Sequence, residues 1–341
     1  MSATHDLDRA NRSQESRHKI RAPFELDPSL CLYSPQANLD ALKHPRVAEW
    51  LDYVANDWEP GRFGGKKVAL LVPCTKYKPY STSREHRAIN RALLEAGWEP
   101  AGKSNAPREL VEVLDPGEPP ELLHDGPLRR QGVQLERIVM SEPLALVPYS
   151  YIYEWNGGPS VATSYDDPGL FESRGTSVSP ERSDSTATPV GGGRWRWGPG
   201  ERQAYVEVHN RLAEVIAKTF SRVGHRFDAI GAWVSPGLTH RSFLADREFR
   251  RRDGIPAHRM GREGKLPLRG ALDDLPDSVT IMPTQEQLAD TRRELADRLR
   301  REGRAANDRA VGAIYARGDG NDTPLGLPET LRHLTSWLDS V

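Results

Sequence analysis

Cysteine, long apolar stretches and net charge are all scarce in this 341-residue chain. Two cysteines are too few for a disulfide framework or a cysteine-rich zinc site. No run of about 18 apolar residues is present, and the charged segment Met1 to Arg21 lacks the apolar stretch of a signal peptide. The formal charge of −1 argues against binding of polyanions by bulk attraction. We therefore predict a soluble, cytoplasmic protein with no membrane partner.

Short apolar runs alternate along the chain with segments of helical periodicity. Val68–Val72 is a continuous apolar run between breakers, as expected of a buried parallel strand. Further strands are predicted at Leu110–Leu114, Leu135–Met140, Phe227–Val234 and Val279–Met282. Helices are predicted at 45–58, 84–96, 201–222, 240–252, 285–302 and 328–338. This alternation indicates an α/β fold, a mostly parallel sheet with flanking helices in a Rossmann-like three-layer arrangement.

Composition divides the chain into three parts. Residues 1–37 are predicted to be a flexible leader, because their first part is polar and charged. Residues 38–310 are predicted to form the α/β core, and residues 311–341 a helical tail. Within the core, the Gly-, Ser-, Thr- and Pro-rich segment 172–200 is predicted to be a long flexible insertion.

The densest chemistry follows the first predicted strand. Residues 73–86 read Pro-Cys-Thr-Lys-Tyr-Lys-Pro-Tyr-Ser-Thr-Ser-Arg-Glu-His and run into a helix. Ligands of open α/β sheets bind at the carboxyl ends of strands, where Cys74 is expected. Lys76, Lys78 and the helix N-terminus should lower the pKa of its thiol. His86, in the first turn of that helix, should stay neutral and able to accept a proton.

The same residues also have structural interpretations. A cysteine after an apolar run is often only a small buried side chain, and a histidine near a helix start can be a surface residue. Ser83 is expected to be the N-cap of the helix, and the two lysines could be solvated. The functional interpretation rests on the co-occurrence of all these groups within one loop.

The spacing Pro73-Cys74, Lys78-Pro79-Tyr80, Ser83, His86 resembles the signature of the archaeosine synthase family. Ser141-Glu142-Pro143-Leu144 and Tyr165-Asp166-Asp167-Pro168 are similar to two further patches of that family. The likeness extends over about residues 40 to 310. It implies conversion of the nitrile of a 7-cyano-7-deazaguanine base to an amidine, with an amino acid such as lysine or glutamine, or ammonia, as nitrogen donor.

The chemistry assigns roles to these residues. Cys74 would add to the nitrile carbon to give a thioimidate, which an amine displaces. His86 or Lys78 would protonate the nitrile nitrogen, and Asp166 or Asp167 would hold the amine donor or the deazaguanine edge. Direct attack by the amine, with Cys74 only positional, is the alternative mechanism. The other predicted substrate-binding residues are Pro73, Lys76, Tyr80, Ser83, Ser141 and Tyr165.

Neither mechanism requires a cofactor, and the ten histidines show no metal-ligand spacing, so no metal site is predicted. The family's transglycosylase-like and RNA-binding domains have no room in this chain. The expected partners are therefore a 7-deazaguanine in tRNA, DNA, a nucleoside or the free base, an amine donor, and a separate transglycosylase. The alternative function is a non-catalytic nucleobase- or nucleic-acid-binding subunit of a deazaguanine modification system.

Overall fold

The computed structural model describes residues 9–275, 279–318 and 323–341, and a mostly parallel sheet of seven strands lies at its centre. The order in the sheet is β13-β10-β1-β4-β3-β2, and β5 also pairs with β4. Strands β13, β10, β1 and β4 are parallel, whereas β3 and β5 are antiparallel to β4. The strands are β1 Lys66–Pro73, β2 Glu99–Pro100, β3 Leu128–Arg130, β4 Val133–Ser141, β5 Ala145–Pro148, β6 Glu154–Trp155, β7 Gly158–Pro159, β8 Thr188–Gly191, β9 Arg194–Arg196, β10 Ala229–Trp233, β11 His258–Met260, β12 Lys265–Pro267 and β13 Thr280–Met282.

Strand β1 is central because its side chains are apolar on both faces. Val68, Leu70 and Leu71 have no exposed surface. Val68 lies opposite Leu135 of β4 and Ala229 of β10, so β1 is hydrogen-bonded along both edges. A strand buried on both faces and paired on both edges belongs in the middle of a parallel sheet.

Helices flank the sheet in two groups. Helix α5 contacts both α2 and α3, and α10 contacts both α4 and α8. The helices are α1 Arg9–Arg17, α2 Pro35–Ala41, α3 Pro45–Asn56, α4 Arg84–Glu95, α5 Pro199–Val223, α6 Thr239–Leu244, α7 Arg247–Asp253, α8 Gln285–Arg301, α9 Asp308–Arg317 and α10 Pro328–Ser340. This architecture confirms the predicted α/β class. No helix in the described part of the chain is long and apolar enough to cross a bilayer.

Two local predictions were wrong. The segment predicted as a strand at Leu110–Leu114 is a 3-10 helix, Arg108–Val113, in which Leu110 is buried and Val111 is half exposed. The helix predicted over residues 240–252 is two helices, α6 and α7. It breaks because the Asp246 carboxylate caps α7, accepting the Phe249 N–H at 2.7 Å.

The segment predicted to be a flexible leader is packed over residues 9–37, which differs from the prediction. It contains α1, and the backbone of Ile20 forms a bridge with Lys78. The Lys19 ammonium lies 2.6 Å from the Asp166 carboxylate, and both backbone groups of Lys78 bond to this segment. Polar composition did not reveal this packing, because hydrogen bonds and ion pairs hold the segment in addition to its apolar residues.

The segment predicted to be a flexible insertion, residues 172–200, also packs onto the body. It contains the β8–β9 hairpin, and its Val178 and Trp197 are buried. The Trp197 indole donates to the Ser177 carbonyl at 3.0 Å, and Arg12 donates to the Val178 carbonyl. The buried Trp197 and Val178 side chains and these hydrogen bonds hold a segment that its glycine and serine content alone would leave open.

The tail predicted at 311–341 contains most of α9 and all of α10. Leu331, Leu334 and Leu338 on one side of α10 belong to the main apolar core. Leu327, just before α10, joins a second small cluster with Val311 of α9 and Leu295 of α8.

Candidate functional site

Three side chains converge at the carboxyl ends of three adjacent parallel strands. Cys74 follows β1 directly, Glu142 follows β4 directly, and His240 lies on α6 after β10. The Cys74 Sγ is 3.3 Å from His240 Nε2 and 4.0 Å from Glu142 Oε2. Glu142 Oε2 is in turn 3.4 Å from the same His240 Nε2. This is the sheet edge at which open α/β folds bind their ligands.

These side chains face a cavity of about 880 Å³. Cys74 is partly exposed to it, while Glu142 and His240 are more than nine-tenths buried. The Asp167 carboxylate also lines the cavity, and its Oδ2 has no hydrogen-bond partner in the described part of the chain. A cavity of this size accommodates a nucleobase or a comparable small molecule, since ligand pockets commonly span about 300–1,000 Å³.

Burial controls the protonation of the site. Burial and, to a smaller extent, the neighbouring Glu142 carboxylate raise the pKa of Cys74 to about 12, although Lys78 acts in the opposite direction. The predicted lowering of the thiol pKa is therefore wrong, because desolvation outweighs the nearby lysine. Burial also lowers the pKa of His240, and burial next to Glu142 raises the pKa of Asp167 well above its usual range.

The arrangement differs from a Cys-His-carboxylate relay. In such a relay the thiol and the carboxylate contact opposite ring nitrogens. Here both contact Nε2, and His240 Nδ1 is buried without a hydrogen-bond partner among the described residues. Sγ, Oε2 and Nε2 all lie within 4.8 Å of one another, so the three residues could also hold a metal ion. Chemically, the cluster can exchange a proton between the thiol and the imidazole, or ligate a cation.

His86 does not reach Cys74. Its Nε2 donates to the Pro73 carbonyl at 2.8 Å, its Nδ1 accepts from the Tyr149 hydroxyl at 2.6 Å, and the two rings stack. Ser83 is the N-cap, as predicted, and accepts the His86 N–H at 3.1 Å. The buried His86 ring supports the turn that follows β1. The imidazole beside the Cys74 thiol, which was predicted to be that of His86, belongs to His240.

Acid should destabilise the protein through His86. Burial lowers the pKa of His86 to about 4, whereas the unfolded chain titrates near its ordinary value of about 6.5. The unfolded state therefore binds more protons between these two values. Stability from this residue is present above about pH 6.5 and falls by roughly 1 kcal/mol per pH unit down to about pH 4.

Urea unfolding at pH 7, 6 and 5 measures this loss. His86→Gln should flatten the pH dependence without removing it, since burial also lowers the pKa of His209 to about 3. An unchanged slope in His86→Gln would show that His86 does not titrate in this way.

Lys78 and Asp166 were predicted to be catalytic, and the structure places both behind the cavity wall. The fully buried Lys78 ammonium donates to the Thr75 carbonyl at 2.7 Å and lies 4.4 Å from the centre of the Tyr165 ring. The Asp166 carboxylate accepts from Ser16 and Lys19, both at 2.6 Å. The Lys78 ammonium thus holds the residue 73–86 loop in shape, and Asp166 holds the N-terminal segment, so the geometry gives both residues positioning roles.

The predicted substrate-binding residues separate into two groups. Tyr80, Ser141 and Tyr165 form a buried hydrogen-bonded cluster, with the two tyrosine hydroxyls 2.8 Å apart. Pro73 is buried and accepts from His86. The second group lines the cavity and comprises Lys76, Ser83 and Asp167.

Two residues of the cluster, Glu142 and His240, were not assigned a role from the sequence. They are 68 and 166 positions from Cys74, so no local spacing joins them. Both residues could have been found because each follows a predicted parallel strand, which is the feature that identified Cys74. Metal-ligand spacing in the sequence does not reveal this cluster either, because its three members are far apart along the chain.

The comparisons with known proteins cover one part of the chain. A family model described as a domain of unknown function, DUF5591, matches residues 47–104. That stretch contains most of α3, all of β1 and the residue 73–86 loop with α4. No curated protein and no solved structure shows significant similarity to the chain.

Proposed function

We propose that the protein is an enzyme of the archaeosine synthase type, which adds an amine to the nitrile of a 7-cyano-7-deazaguanine moiety to give an amidine. The observation that carries this proposal is a partly exposed thiol at a strand end, facing a cavity of about 880 Å³, with an imidazole 3.3 Å away. The resemblance of residues 73–86 to the family signature specifies the nitrile, and the DUF5591 match includes those residues.

The cavity contains a carboxylate that can bind the hydrogen-bond donors on the edge of a deazaguanine base. N1–H and the 2-amino group of guanine are both hydrogen-bond donors, and an ionised carboxylate is the matching acceptor. Asp167 lines the cavity with an Oδ2 that lacks a protein partner. We assign Asp167 to this edge. Burial raises the pKa of its carboxyl group, and hydrogen bonds donated by the base would favour the ionised form again.

The proposed reaction balances with protein groups alone. The Cys74 S–H gives its proton to His240 Nε2 while the sulfur forms a bond to the nitrile carbon. The imidazolium returns that proton to the nitrile nitrogen, which leaves a neutral thioimidate. The amine then adds to the same carbon, the C–S bond breaks, and the sulfur leaves with a proton taken from the amine. His240 thereby takes the role that the sequence analysis gave to His86.

The exposed arginines at the cavity favour a base carried on a nucleic acid over a free base. Arg84, Arg174 and Arg317 are exposed and line it. A phosphate backbone contacting these side chains would explain local basic charge in a chain of formal charge −1. This substrate class implies a separate transglycosylase to insert the base and a location in a reducing compartment such as the cytoplasm.

A direct assay tests the proposal. The protein is incubated with the free nitrile base, its nucleoside, and tRNA or DNA that carries it, each with lysine, glutamine or ammonia. We expect the mass of the amine adduct in at least one combination, and mass spectrometry measures it. If the folded wild-type protein binds the base but forms no adduct in any combination, the non-catalytic binding function is correct instead.

Asp167→Asn should weaken substrate binding more than it slows the chemical step. Loss of a charged acceptor to two base donors should raise KM by roughly 10- to 100-fold, since such hydrogen bonds contribute about 1.5–3 kcal/mol. Kinetics with a substrate analogue that lacks the 2-amino group provide the matched test. Wild type should discriminate against the analogue and Asp167→Asn should discriminate much less. Equal discrimination by both proteins would assign the base edge to another residue.

A further inference from the structure

We propose that Cys74, Glu142 and His240 form a zinc site whose fourth ligand position opens onto the cavity. The inference goes beyond the proposed amine transfer and does not rest on it, because a bound ion would hold Cys74 Sγ and His240 Nε2 and exclude the proton transfer between them until the ion leaves. It starts from the three donor atoms, one sulfur, one oxygen and one nitrogen, that converge from the ends of β1, β4 and β10.

The distances between the donor atoms match a tetrahedral ion. Zinc with bonds of about 2.3 Å to sulfur and about 2.0–2.2 Å to nitrogen and oxygen separates its ligand atoms by about 3.3–3.6 Å. The Sγ–Nε2 and Nε2–Oε2 separations are 3.3 and 3.4 Å. The Sγ–Oε2 separation of 4.0 Å is slightly longer, and a small rotation of the Glu142 side chain would close it.

The orientation of His240 favours a shared ion over a proton relay. Thiol and carboxylate both point to Nε2, and the three atoms therefore surround one point. A relay would instead place the carboxylate at Nδ1, which is buried and has no hydrogen-bond partner among the described residues. An ion at the common point would bond all three atoms at once.

The chemistry of the donors selects the metal class. A thiolate with an imidazole suits zinc and is a poor site for magnesium or calcium, which prefer all-oxygen ligands. Three protein ligands plus one open position is the pattern of zinc sites that bind an exchangeable ligand. The open side faces the cavity, so the ion would take a water or a neutral nitrogen or oxygen donor of a small molecule there.

Metal content tests the inference without an activity assay. The protein is purified with zinc supplied, dialysed against metal-free buffer, and analysed by elemental mass spectrometry. We expect about one zinc per chain. Replacing zinc by cobalt should give the visible bands of a tetrahedral ion and a near-ultraviolet thiolate-to-cobalt charge-transfer band.

Three variants locate the site. Cys74→Ala and His240→Ala should each weaken zinc binding by at least about 100-fold, because losing a second-shell partner alone commonly costs 10- to 100-fold. Cys74→Ala should also remove the charge-transfer band, and Glu142→Gln should weaken binding. The matched control, Cys31→Ala, replaces the chain's other cysteine and should bind zinc as the wild type does.

Wild-type protein that holds no stoichiometric zinc, or a Cys74→Ala variant that keeps both zinc and the cobalt charge-transfer band, would overturn the inference. Circular dichroism of each variant separates loss of the site from loss of the fold. Zinc content and amidine formation are measured independently. Wild-type protein that forms the amidine but holds no zinc after zinc is supplied would overturn the zinc site and leave the proposed function standing, whereas zinc-loaded protein that forms the amidine only after zinc is removed would support both.

Discussion

Replacing Cys74 by serine should lower amidine formation by at least about 10³-fold, the largest effect expected from any single substitution in this protein. A serine hydroxyl is a much weaker nucleophile than a thiol, and no base in the cluster is strong enough to ionise it. Single-turnover formation of the adduct, followed by mass spectrometry, measures the loss.

The control for this experiment is Cys31→Ala. Cys31 is buried, and its backbone bridges to Asp166, but its side chain is not among the residues that line the cavity. This variant should turn over like the wild type, and Cys74→Ser should still bind the deazaguanine. Turnover of Cys74→Ser within about tenfold of wild type would show that the sulfur is only positional and would favour direct attack by the amine.

The sheet was predictable from the sequence because its strands are continuous apolar runs. Val68–Val72 has no polar residue that could face water, so a central parallel strand was the consistent interpretation. The short edge strands β2 and β3 have no such run, and their pairing depends on the turns that bring them to β4. The middle of the sheet was therefore predictable, whereas its antiparallel edge was not.

The N-terminal segment shows why composition is a weak guide to order. Residues 9–37 include eight charged side chains, yet the backbone of Lys78 is hydrogen-bonded to Lys19 and Arg21 of that segment. The stabilising contacts include main-chain hydrogen bonds, the Lys19–Asp166 ion pair and the buried side chains of Leu30 and Leu32. Hydrophobicity statistics do not register hydrogen bonds or ion pairs, because they count only apolar residues.

The candidate site was half predictable. Cys74 was identified because a reactive residue at the end of a parallel strand is a local feature of sequence. Glu142 and His240 join it only because β4 and β10 are the two neighbours of β1. The order of strands in a sheet cannot be deduced from the spacing of residues along the sequence. His86 is close to Cys74 in sequence, but the first turn of α4 points its ring at Pro73 and Tyr149.

Arg137→Met should give the largest loss of stability, about 3–5 kcal/mol. Arg137 lies on β4 and is 2% exposed. Its guanidinium donates to Asn90 Oδ1 and to the His124 carbonyl, both at 2.7 Å, and to the Gly126 carbonyl at 2.8 Å. Methionine fills much of the volume but leaves these three acceptors without a donor, and each unsatisfied buried group costs about 1–3 kcal/mol.

The effect should extend to the site through stacked rings. The Arg137 guanidinium lies 4.0 Å from the centre of the Tyr149 ring, Tyr149 stacks on His86, and His86 donates to the carbonyl next to Cys74. Urea unfolding measures the stability loss, and Arg129→Met is the matched control. Arg129 is exposed on the neighbouring strand, so its loss should cost no more than about 0.5 kcal/mol. Equal effects of the two substitutions would mean that the guanidinium of Arg137 is replaceable by apolar packing, and that the stack from β4 to the thiol does not depend on it.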